Sequence, residues 1–390
     1  MAGTVEITQL AHIVYAEVTF GDLTVFLGPQ ASGKSLVAQA WKLALDAAFV
    51  QSRLRLYGYA WDTPEDFLQL YFGRGYERIW QNDTRFAINR SRVTLQSLLT
   101  AYKGGTPRER VFYIPAQRVL SLVYGYGWPL PFKGFEVAVP FVLTQYSEEI
   151  RRYLDEEFPG EDEVLFPVER RLPKSLREQL SQSVYPGVIL KAERALRKRL
   201  VLEVQGSRTR LPIPSWTAGQ REFTPLLLGL YWLLPLGRSP KRGYEWVVIE
   251  EPEMGLHPRA IEGVLQAILH LLHRGYRVIL TTHSKTIVEC LWLIQQFKED
   301  SSLVEKGPKA LAEYLQLPVS PARFIEIAAE PFRKDVRTYF FRRPEREVTV
   351  VDISSLDAWD ANPDVADWGG LATSTERAHR ILARAETNRL

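Results

Sequence analysis

The chain has 390 residues, of which 46% are hydrophobic and 24% are charged, and its net charge is +3 at pH 7. This composition is that of a globular protein with one or two domains, and the charge is too small to indicate nucleic-acid binding by itself. Apolar runs stay below about 18 residues and no secretory signal is evident, so we expect no membrane segment. The single cysteine, Cys290, excludes an intramolecular disulfide and suits a cytoplasmic protein.

The first predicted elements are strands. Residues 4–20 alternate in part between apolar and polar side chains. Within them, Tyr15 and Phe20 are candidates for stacking on a nucleotide base, although a packed strand position is the favoured interpretation of each.

An apolar strand, Leu23 to Leu27, then leads into a G-x-x-x-x-G-K-S motif, the phosphate-binding loop called the P-loop. Its glycines allow a tight turn that brings backbone N–H groups close to phosphate oxygens. Its lysine supplies a charge for the phosphates, its serine a ligand for Mg²⁺, and a helix is predicted over 36–56. The predicted nucleotide-binding residues are Gly28, Pro29, Gln30, Ala31, Ser32, Gly33, Lys34 and Ser35.

After an irregular stretch with a predicted helix near 92–102, a short apolar run at 111–114 predicts a buried parallel strand that ends at Pro115-Ala-Gln-Arg. Residues just past the carboxyl ends of such strands face the nucleotide in related sheets. Gln117 is therefore a candidate for sensing Mg²⁺ or the attacking water, and Arg118 for contacting a phosphate or a partner. A simple strand-to-helix turn explains both residues equally well.

Residues 125–204 predict an inserted lobe. It holds an acidic stretch from Glu148 to Glu163 and then strands over 187–213 with many basic side chains. A nucleic-acid or acidic-partner surface is one interpretation of these strands. Because acidic side chains dilute the positive charge, a solvated face is favoured.

Two further strands end in chemically active side chains. The run 246–249 ends in Glu250-Glu251-Pro-Glu, and the run 277–280 ends in Thr-Thr-His283-Ser. Carboxylates and a histidine at the ends of core strands beside a P-loop suit Mg²⁺, an attacking water and a γ-phosphate. Helices are predicted from 226 to 236 and over 259–273, strands at 336–341 and 348–353, and a final helix at 374–385.

Together with Thr217-Ala218-Gly219-Gln220, these motifs resemble those of ABC-type ATPases, and more narrowly of the OLD/RecF-like (AAA_15/AAA_21) branch. The resemblance implies an α/β P-loop NTPase of ABC type with a mostly parallel core sheet, an N-terminal β section and an inserted helical lobe. It implies ATP and Mg²⁺ as cofactors, with Mg²⁺ at Ser35 and Glu250. The implied catalytic residues are Glu251 as the general base, His283 as the switch histidine and Gln117 at the Q-loop position.

By the same resemblance, Thr217, Ala218, Gly219 and Gln220 form the signature motif, which contacts the ATP of a second subunit. Two departures from the usual pattern leave the hydrolysis rate open: Glu250 stands for an aspartate, and Thr217-Ala218 for Ser-Gly. The predicted segments are an ATPase core in two parts, 1–124 and 205–300, the lobe at 125–204 and a C-terminal α/β extension at 301–390.

The resemblance also extends to ATPase subunits of bacterial anti-phage defence modules, PARIS-like or Septu-like. The leading hypothesis is therefore an ATPase that forms a homo-oligomer through its ATP sites and, as a sensor or scaffold, controls an effector protein such as a nuclease. DNA or a phage trigger protein is a candidate further partner. The alternative is a RecF-like DNA repair or remodelling ATPase, whereas a transport ATPase is disfavoured.

Overall fold

The computed structural model describes residues 3–122, 127–134, 139–169, 171–194, 197–234, 243–317 and 323–371. The strands are β1 (Thr4–Leu10), β2 (Ile13–Thr19), β3 (Leu23–Leu27), β4 (Trp80–Ile88), β5 (Ser91–Arg92), β6 (Val111–Ile114), β7 (Asp162–Phe166), β8 (Val188–Arg194), β9 (Lys198–Val204), β10 (Arg210–Pro212), β11 (Trp246–Glu250), β12 (Arg277–Thr282), β13 (Val336–Arg342) and β14 (Val348–Asp352). The helices are α1 (Lys34–Leu56), α2 (Pro64–Phe72), α3 (Leu95–Leu99), α4 (Phe141–Glu157), α5 (Lys174–Ser183), α6 (Ala218–Leu233), α7 (Pro258–His273), α8 (Lys285–Glu299), α9 (Gly307–Tyr314), α10 (Arg323–Ala328), α11 (Glu330–Arg333) and α12 (Pro363–Ala366).

The main sheet has ten strands in the order β5-β4-β1-β2-β14-β13-β3-β12-β11-β6. Its centre is parallel, since β13, β3, β12, β11 and β6 run in one direction. Strands β3, β6 and β11 are buried at every position, as expected for apolar strands covered on both faces. The parallel centre brings the carboxyl ends of β3, β6, β11 and β12 to one edge of the sheet.

Each face of this sheet has its own hydrophobic core. Val25 and Leu27 point into a core that also contains apolar residues of α6, α7 and α8, whereas Phe26, between them, points into a core with α1 and α2. This alternation follows from the two-residue period of a strand. Helices on both faces hold the central strands rigidly, so the loops at their carboxyl ends have a fixed frame.

The predicted lobe contains α4, α5 and the strands β7, β8 and β9 of a second, antiparallel sheet in the order β10-β9-β8-β7, whose strand β10 follows the predicted lobe in sequence. The strands predicted within 187–213 are confirmed. The segment boundaries at 124, 204 and 300 remain predictions.

Most predicted core elements are also confirmed, including α1, α7, β13 and β14. The helix predicted near 92–102 is shorter, because α3 covers only Leu95–Leu99. Helix α6 begins at Ala218, earlier than predicted, because the Thr217 side chain caps it. The predicted final helix at 374–385 lies outside the described residues. Within the described part of the chain, no helix has both the length and the hydropathy to cross a membrane.

Candidate nucleotide-binding site

The P-loop connects β3 to α1 with two glycines in the left-handed region of backbone space. Gly28 has φ +142° and Gly33 has φ +87°, which a residue with a Cβ adopts only with strain. A Cβ at Gly28 would also lie 2.7 Å from the Phe341 carbonyl oxygen. Helix α1 begins at Lys34 without a side-chain cap, so its first N–H groups remain available to an anion.

Lys34 folds back onto this loop. Its Nζ donates hydrogen bonds to the carbonyl oxygens of Gly28 at 2.7 Å and Pro29 at 2.9 Å, and it lies 3.2 Å from His283 Nε2. Burial lowers the pKa of Lys34 to about 8, although the nearby carboxylates of Glu251, Glu253 and Glu250 oppose this change. The ammonium group thus lies at the phosphate-binding loop, where two backbone carbonyl oxygens hold it.

Glu250 is the last residue of β11, and its carboxylate is buried beneath the P-loop. It accepts hydrogen bonds from the Tyr113 hydroxyl at 2.8 Å, the Ala116 N–H at 3.0 Å and the Ser35 hydroxyl. Burial raises the pKa of Glu250, and these hydrogen bonds counteract the rise. The sequence analysis gave Tyr113 no role because its apolar strand pattern predicts only burial.

A hydroxyl and a carboxylate in contact are a fitting pair for Mg²⁺, which takes oxygen ligands and is commonly bound by few protein groups together with substrate phosphates. Among the described residues, no group of three or more His, Cys, Asp or Glu side chains could hold a metal ion. The oxygens of Ser35 and Glu250 therefore fit a magnesium ion that is held jointly with a nucleotide.

Glu251 has a left-handed backbone, with φ +40°. Its N–H donates to the Thr281 carbonyl oxygen at 2.9 Å, and its Oε1 lies 3.2 Å from His283 Nε2. The hydrogen bond with His283 lowers the pKa of Glu251, although burial opposes it. At neutral pH the carboxylate is therefore ionised and able to accept a proton.

His283 directly follows β12, and a third carboxylate fixes its backbone. Glu253 Oε1 accepts hydrogen bonds from the His283 N–H and from the Thr282 hydroxyl, both at 2.6 Å. The imidazole consequently lies between Lys34 Nζ and Glu251 Oε1. Glu253 is part of the predicted motif, but its contact with the histidine loop was not foreseen.

One cavity of about 280 Å³ brings seven predicted residues together: Ala31, Ser32, Gly33, Lys34, Ser35, Gln117 and Glu251. Its other lining residues were not predicted from the sequence, and they include His12, Gln39, Phe72, Tyr76 and Pro140. Phe20 is buried and stacks on Trp41 at 4.3 Å, as its packed-strand interpretation requires. Tyr15 is 45% exposed, donates to Glu17 and does not line the cavity.

A protein-family model described as "AAA domain, putative AbiEii toxin, Type IV TA system" matches residues 52–289, more than half of the chain. The chain belongs to this family, AAA_21. Its P-loop, its mostly parallel α/β sheet and its AAA domain make it a P-loop ATPase, which confirms the predicted α/β P-loop fold and the prediction of an ATPase. No curated protein sequence matches this AAA_21 member significantly.

Solved structures similar to this AAA_21 protein share little sequence with it. The SMC head domain from Thermotoga maritima is 11% identical, with 90% of this chain and 99% of that chain covered and a TM-score of 0.37. The Pyrococcus furiosus Smc head domain with an extended coiled coil, bound to the C-terminal domain of ScpA, is 12% identical (98% of both chains, TM-score 0.40). The ATP-binding subunit of an ABC transporter is 15% identical (73% and 82%, TM-score 0.32).

The signature-like motif of the AAA_21 protein starts helix α6 away from the cavity described above. Thr217 and Gln220 form a reciprocal cap: the Thr217 hydroxyl accepts the Gln220 N–H at 3.2 Å, and Gln220 Oε1 accepts the Thr217 N–H at 3.0 Å. Thr217 and Ala218 are exposed, and no residue of the motif lines the cavity. A Cβ at Gly219 would lie 2.8 Å from the Gly255 carbonyl oxygen, so the motif packs against the segment after β11.

The alternative roles considered for Arg118, a phosphate or partner contact, are wrong. The side chain is fully buried and donates to backbone carbonyl oxygens, among them those of Glu222 at 3.0 Å and Glu250 at 2.9 Å. Its guanidinium is therefore used up in hydrogen bonds within the protein.

Several basic side chains of the second sheet are paired with carboxylates. Lys191 and Arg210 contact Asp162 at 2.9 and 2.8 Å, and Arg199 contacts Glu193 at 2.5 Å. This pairing favours the solvated-face interpretation over a nucleic-acid surface, because these positive charges already have internal partners.

Proposed function

We propose that this protein binds ATP with Mg²⁺ in the cavity at the P-loop and hydrolyses ATP when a second copy of the chain completes the site. The observation that carries the proposal is the convergence of Lys34, Ser35 and Glu251 on one cavity, with Glu250 and His283 in direct contact with them. These groups come from three motifs, namely the P-loop, the carboxylates at the end of β11 and the histidine after β12, and each has the chemistry that phosphoryl transfer to water requires.

In this proposal, the P-loop N–H groups and Lys34 bind the β- and γ-phosphates. Ser35 and Glu250 would hold Mg²⁺, which neutralises phosphate charge when bound. Glu251 accepts a proton from the attacking water, since its carboxylate is ionised and lines the cavity. His283 contacts the γ-phosphate, and Gln117 orients the water or senses the metal.

The second copy is supported by the position of the signature motif. Thr217 and Ala218 are exposed at the start of α6. The Thr217 cap occupies the Gln220 N–H, whereas the N–H groups of Ala218 and Gly219 precede the first helical hydrogen bond and suit an anion from outside the chain. In the proposed homo-oligomer this helix start meets the γ-phosphate bound by the partner copy. The cavity and the motif are then two halves of one active site.

We further propose that this ATPase cycle acts as a sensor or scaffold that controls a separate effector, such as a nuclease, in anti-phage defence. The family description, which names a toxin of a type IV TA system, is in keeping with a role inside a multi-component system. The ion-paired second sheet gives no support to the alternative of a RecF-like DNA-remodelling enzyme.

Sedimentation of the Glu251→Gln protein with and without Mg²⁺·ATP tests the assembled site. This variant keeps the side-chain shape but cannot accept the proton, so ATP persists and the oligomer accumulates; the Lys34→Ala variant serves as the control that cannot bind phosphate. A protein that stays monomeric in all conditions and nevertheless has normal wild-type turnover contradicts the two-copy site. Affinity capture of the ATP-locked oligomer with mass analysis then tests for an effector.

A further inference from the structure

Arg118 connects three segments that are far apart in sequence. Its Nε donates to the Glu222 carbonyl oxygen in α6 at 3.0 Å, one terminal nitrogen to that of Glu250 at 2.9 Å and the other to that of Glu251 at 3.1 Å. The side chain is 0% exposed. A buried guanidinium whose planar fork is occupied by three carbonyl groups holds those groups in a fixed relative geometry.

Of the residues that Arg118 contacts, Glu251 has the backbone that most needs to be held in place. Its φ of +40° is a left-handed conformation, which is strained for a residue with a Cβ. Such conformations persist at active sites only when the surroundings fix them on several sides. Here Thr281 holds the Glu251 N–H and Arg118 holds the Glu251 carbonyl oxygen, so both peptide groups that flank the residue are fixed.

We propose that Arg118 is a positioning residue for hydrolysis: it keeps the backbone of Glu251 in the conformation that aims the carboxylate at the cavity, and it links this carboxylate to helix α6. The inference rests on the function proposed above for Glu251. The link to α6 passes through Glu222, which lies four residues after the exposed helix start at Ala218. A shift of that helix start, as when a second copy binds it, therefore reaches Glu251 through one side chain.

These contacts predict that loss of Arg118 changes the rate of hydrolysis and not the affinity for ATP. Arg118 donates to the carbonyl groups of α6 and of the segment that carries Glu250 and Glu251, whereas Lys34 donates to the carbonyl groups of the P-loop. Loss of the guanidinium fork should misplace the base without removing the phosphate-binding groups. A misplacement of about 1 Å in an active site lowers the rate by about 10²-fold.

The test compares Arg118→Lys and Arg118→Met with a matched control, Arg171→Met. Lysine keeps the charge but lacks the planar fork. Arg171 is a second poorly exposed arginine, with 10% of its side chain accessible, and it pairs with Glu157 in the inserted lobe. Melting temperature, affinity for a fluorescent ATP analogue, kcat and KM are measured for each variant, and Glu251→Gln is measured in parallel.

We expect the Arg118→Lys variant to bind the analogue with wild-type affinity and KM while kcat falls by about 10²-fold. Arg171→Met should lower the melting temperature and leave kcat unchanged. Because Arg118→Met removes a buried charge, the lysine variant carries the test if the methionine variant does not fold. A folded Arg118→Lys protein with wild-type kcat, or one whose affinity and kcat fall together, overturns the inference.

The parallel Glu251→Gln measurement separates two failures. If Glu251→Gln is inactive while Arg118→Lys turns over normally, the positioning role is wrong and the proposed function stands. If Glu251→Gln itself turns over normally, the assignment of the base is wrong, and with it the reason for positioning this residue.

Discussion

The carboxylate of Glu253 holds the backbone of His283: its Oε1 accepts the His283 N–H at 2.6 Å and also the neighbouring Thr282 hydroxyl at 2.6 Å. Two short hydrogen bonds to one charged oxygen fix the turn after β12. The imidazole is thereby kept within 3.2 Å of both Lys34 Nζ and Glu251 Oε1. Glu253 thus influences the site indirectly, through the backbone position of His283.

We expect Glu253→Ala to lower the free energy of unfolding by about 1.5–3 kcal/mol, because two donors to a charged acceptor lose their partner. Turnover should fall as well, because the His283 loop is released. Glu253→Gln keeps an oxygen for both donors and serves as the matched control, with stability close to wild type. Urea denaturation and ATPase assays measure the two effects. Equal losses in the alanine and glutamine variants would mean that the charge, and not the hydrogen bonds, holds the loop.

The lowered pKa of Lys34 predicts that ATP affinity depends on pH. The free site has a Lys34 pKa of about 8, whereas a phosphate beside the ammonium group favours its charged form and raises this pKa. Above pH 8 the free protein must take up a proton to bind ATP, so affinity should fall by up to about tenfold per pH unit between pH 8 and 9. Below pH 7 the lysine is already charged, and its contribution to the pH dependence disappears.

Nucleotide titrations at pH 7, 8 and 9 measure this dependence, and Lys34→Arg is the control. Arginine keeps its charge throughout this range, so the variant should show weaker but nearly pH-independent binding. Lys34→Ala should lose phosphate affinity while the fold remains intact. Equal ATP affinity in a folded Lys34→Ala protein rules out the P-loop assignment.

Substitutions of the two adjacent carboxylates at the end of β11, Glu250 and Glu251, should have different effects on activity. Glu251→Gln should lower turnover by about 10²–10⁴-fold while ATP still binds, because the amide cannot act as a base. Glu250→Gln should instead raise the Mg²⁺ concentration needed for half-maximal activity, because it alters a residue in contact with Ser35. Magnesium titrations of both variants distinguish the two roles. If Glu250→Gln abolishes turnover at every magnesium concentration and Glu251→Gln does not, the two roles are reversed.

The sequence was sufficient for the site residues that stand at strand ends. Gly28, Gln117, Glu250 and His283 each follow an apolar run, and parallel strands must end at one edge of the sheet. The partners of these residues could not be predicted in this way. Arg118 bonds to carbonyl groups 104 to 133 residues away, and backbone carbonyl groups leave no trace in a sequence pattern.

The order of the strands in the main sheet could not be predicted from the sequence either. Strands β13 and β14 come last among the strands of the described residues, yet they lie between β2 and β3, and β13 pairs with the P-loop strand. The alternation in their sequence predicts strands but not their neighbours. For this reason the close approach of Phe341 to Gly28 could not be foreseen.

The exposed start of α6 offers a position where a substitution can block association with a second copy without disturbing the fold of the chain that carries it. Gly219→Asp is unsuitable, because any Cβ there would lie 2.8 Å from the Gly255 carbonyl oxygen and would disturb the chain itself. Ala218, by contrast, is the exposed first residue of the helix. An aspartate at this position stabilises its own helix by about 0.3–1 kcal/mol through the helix dipole, so Ala218→Asp should fold at least as well as wild type.

In the assembled site the same carboxylate would face the phosphates bound by the partner copy. We therefore expect Ala218→Asp, combined with Glu251→Gln, to bind ATP normally but to remain monomeric when ATP is added. Ala218→Asn has nearly the same shape without the charge, so it should still associate, at least in part. Sedimentation measures association, and a melting curve verifies the fold. If the aspartate variant associates with ATP as well as the asparagine variant does, the first turn of α6 does not meet a phosphate, and the motif at 217–220 must have another role.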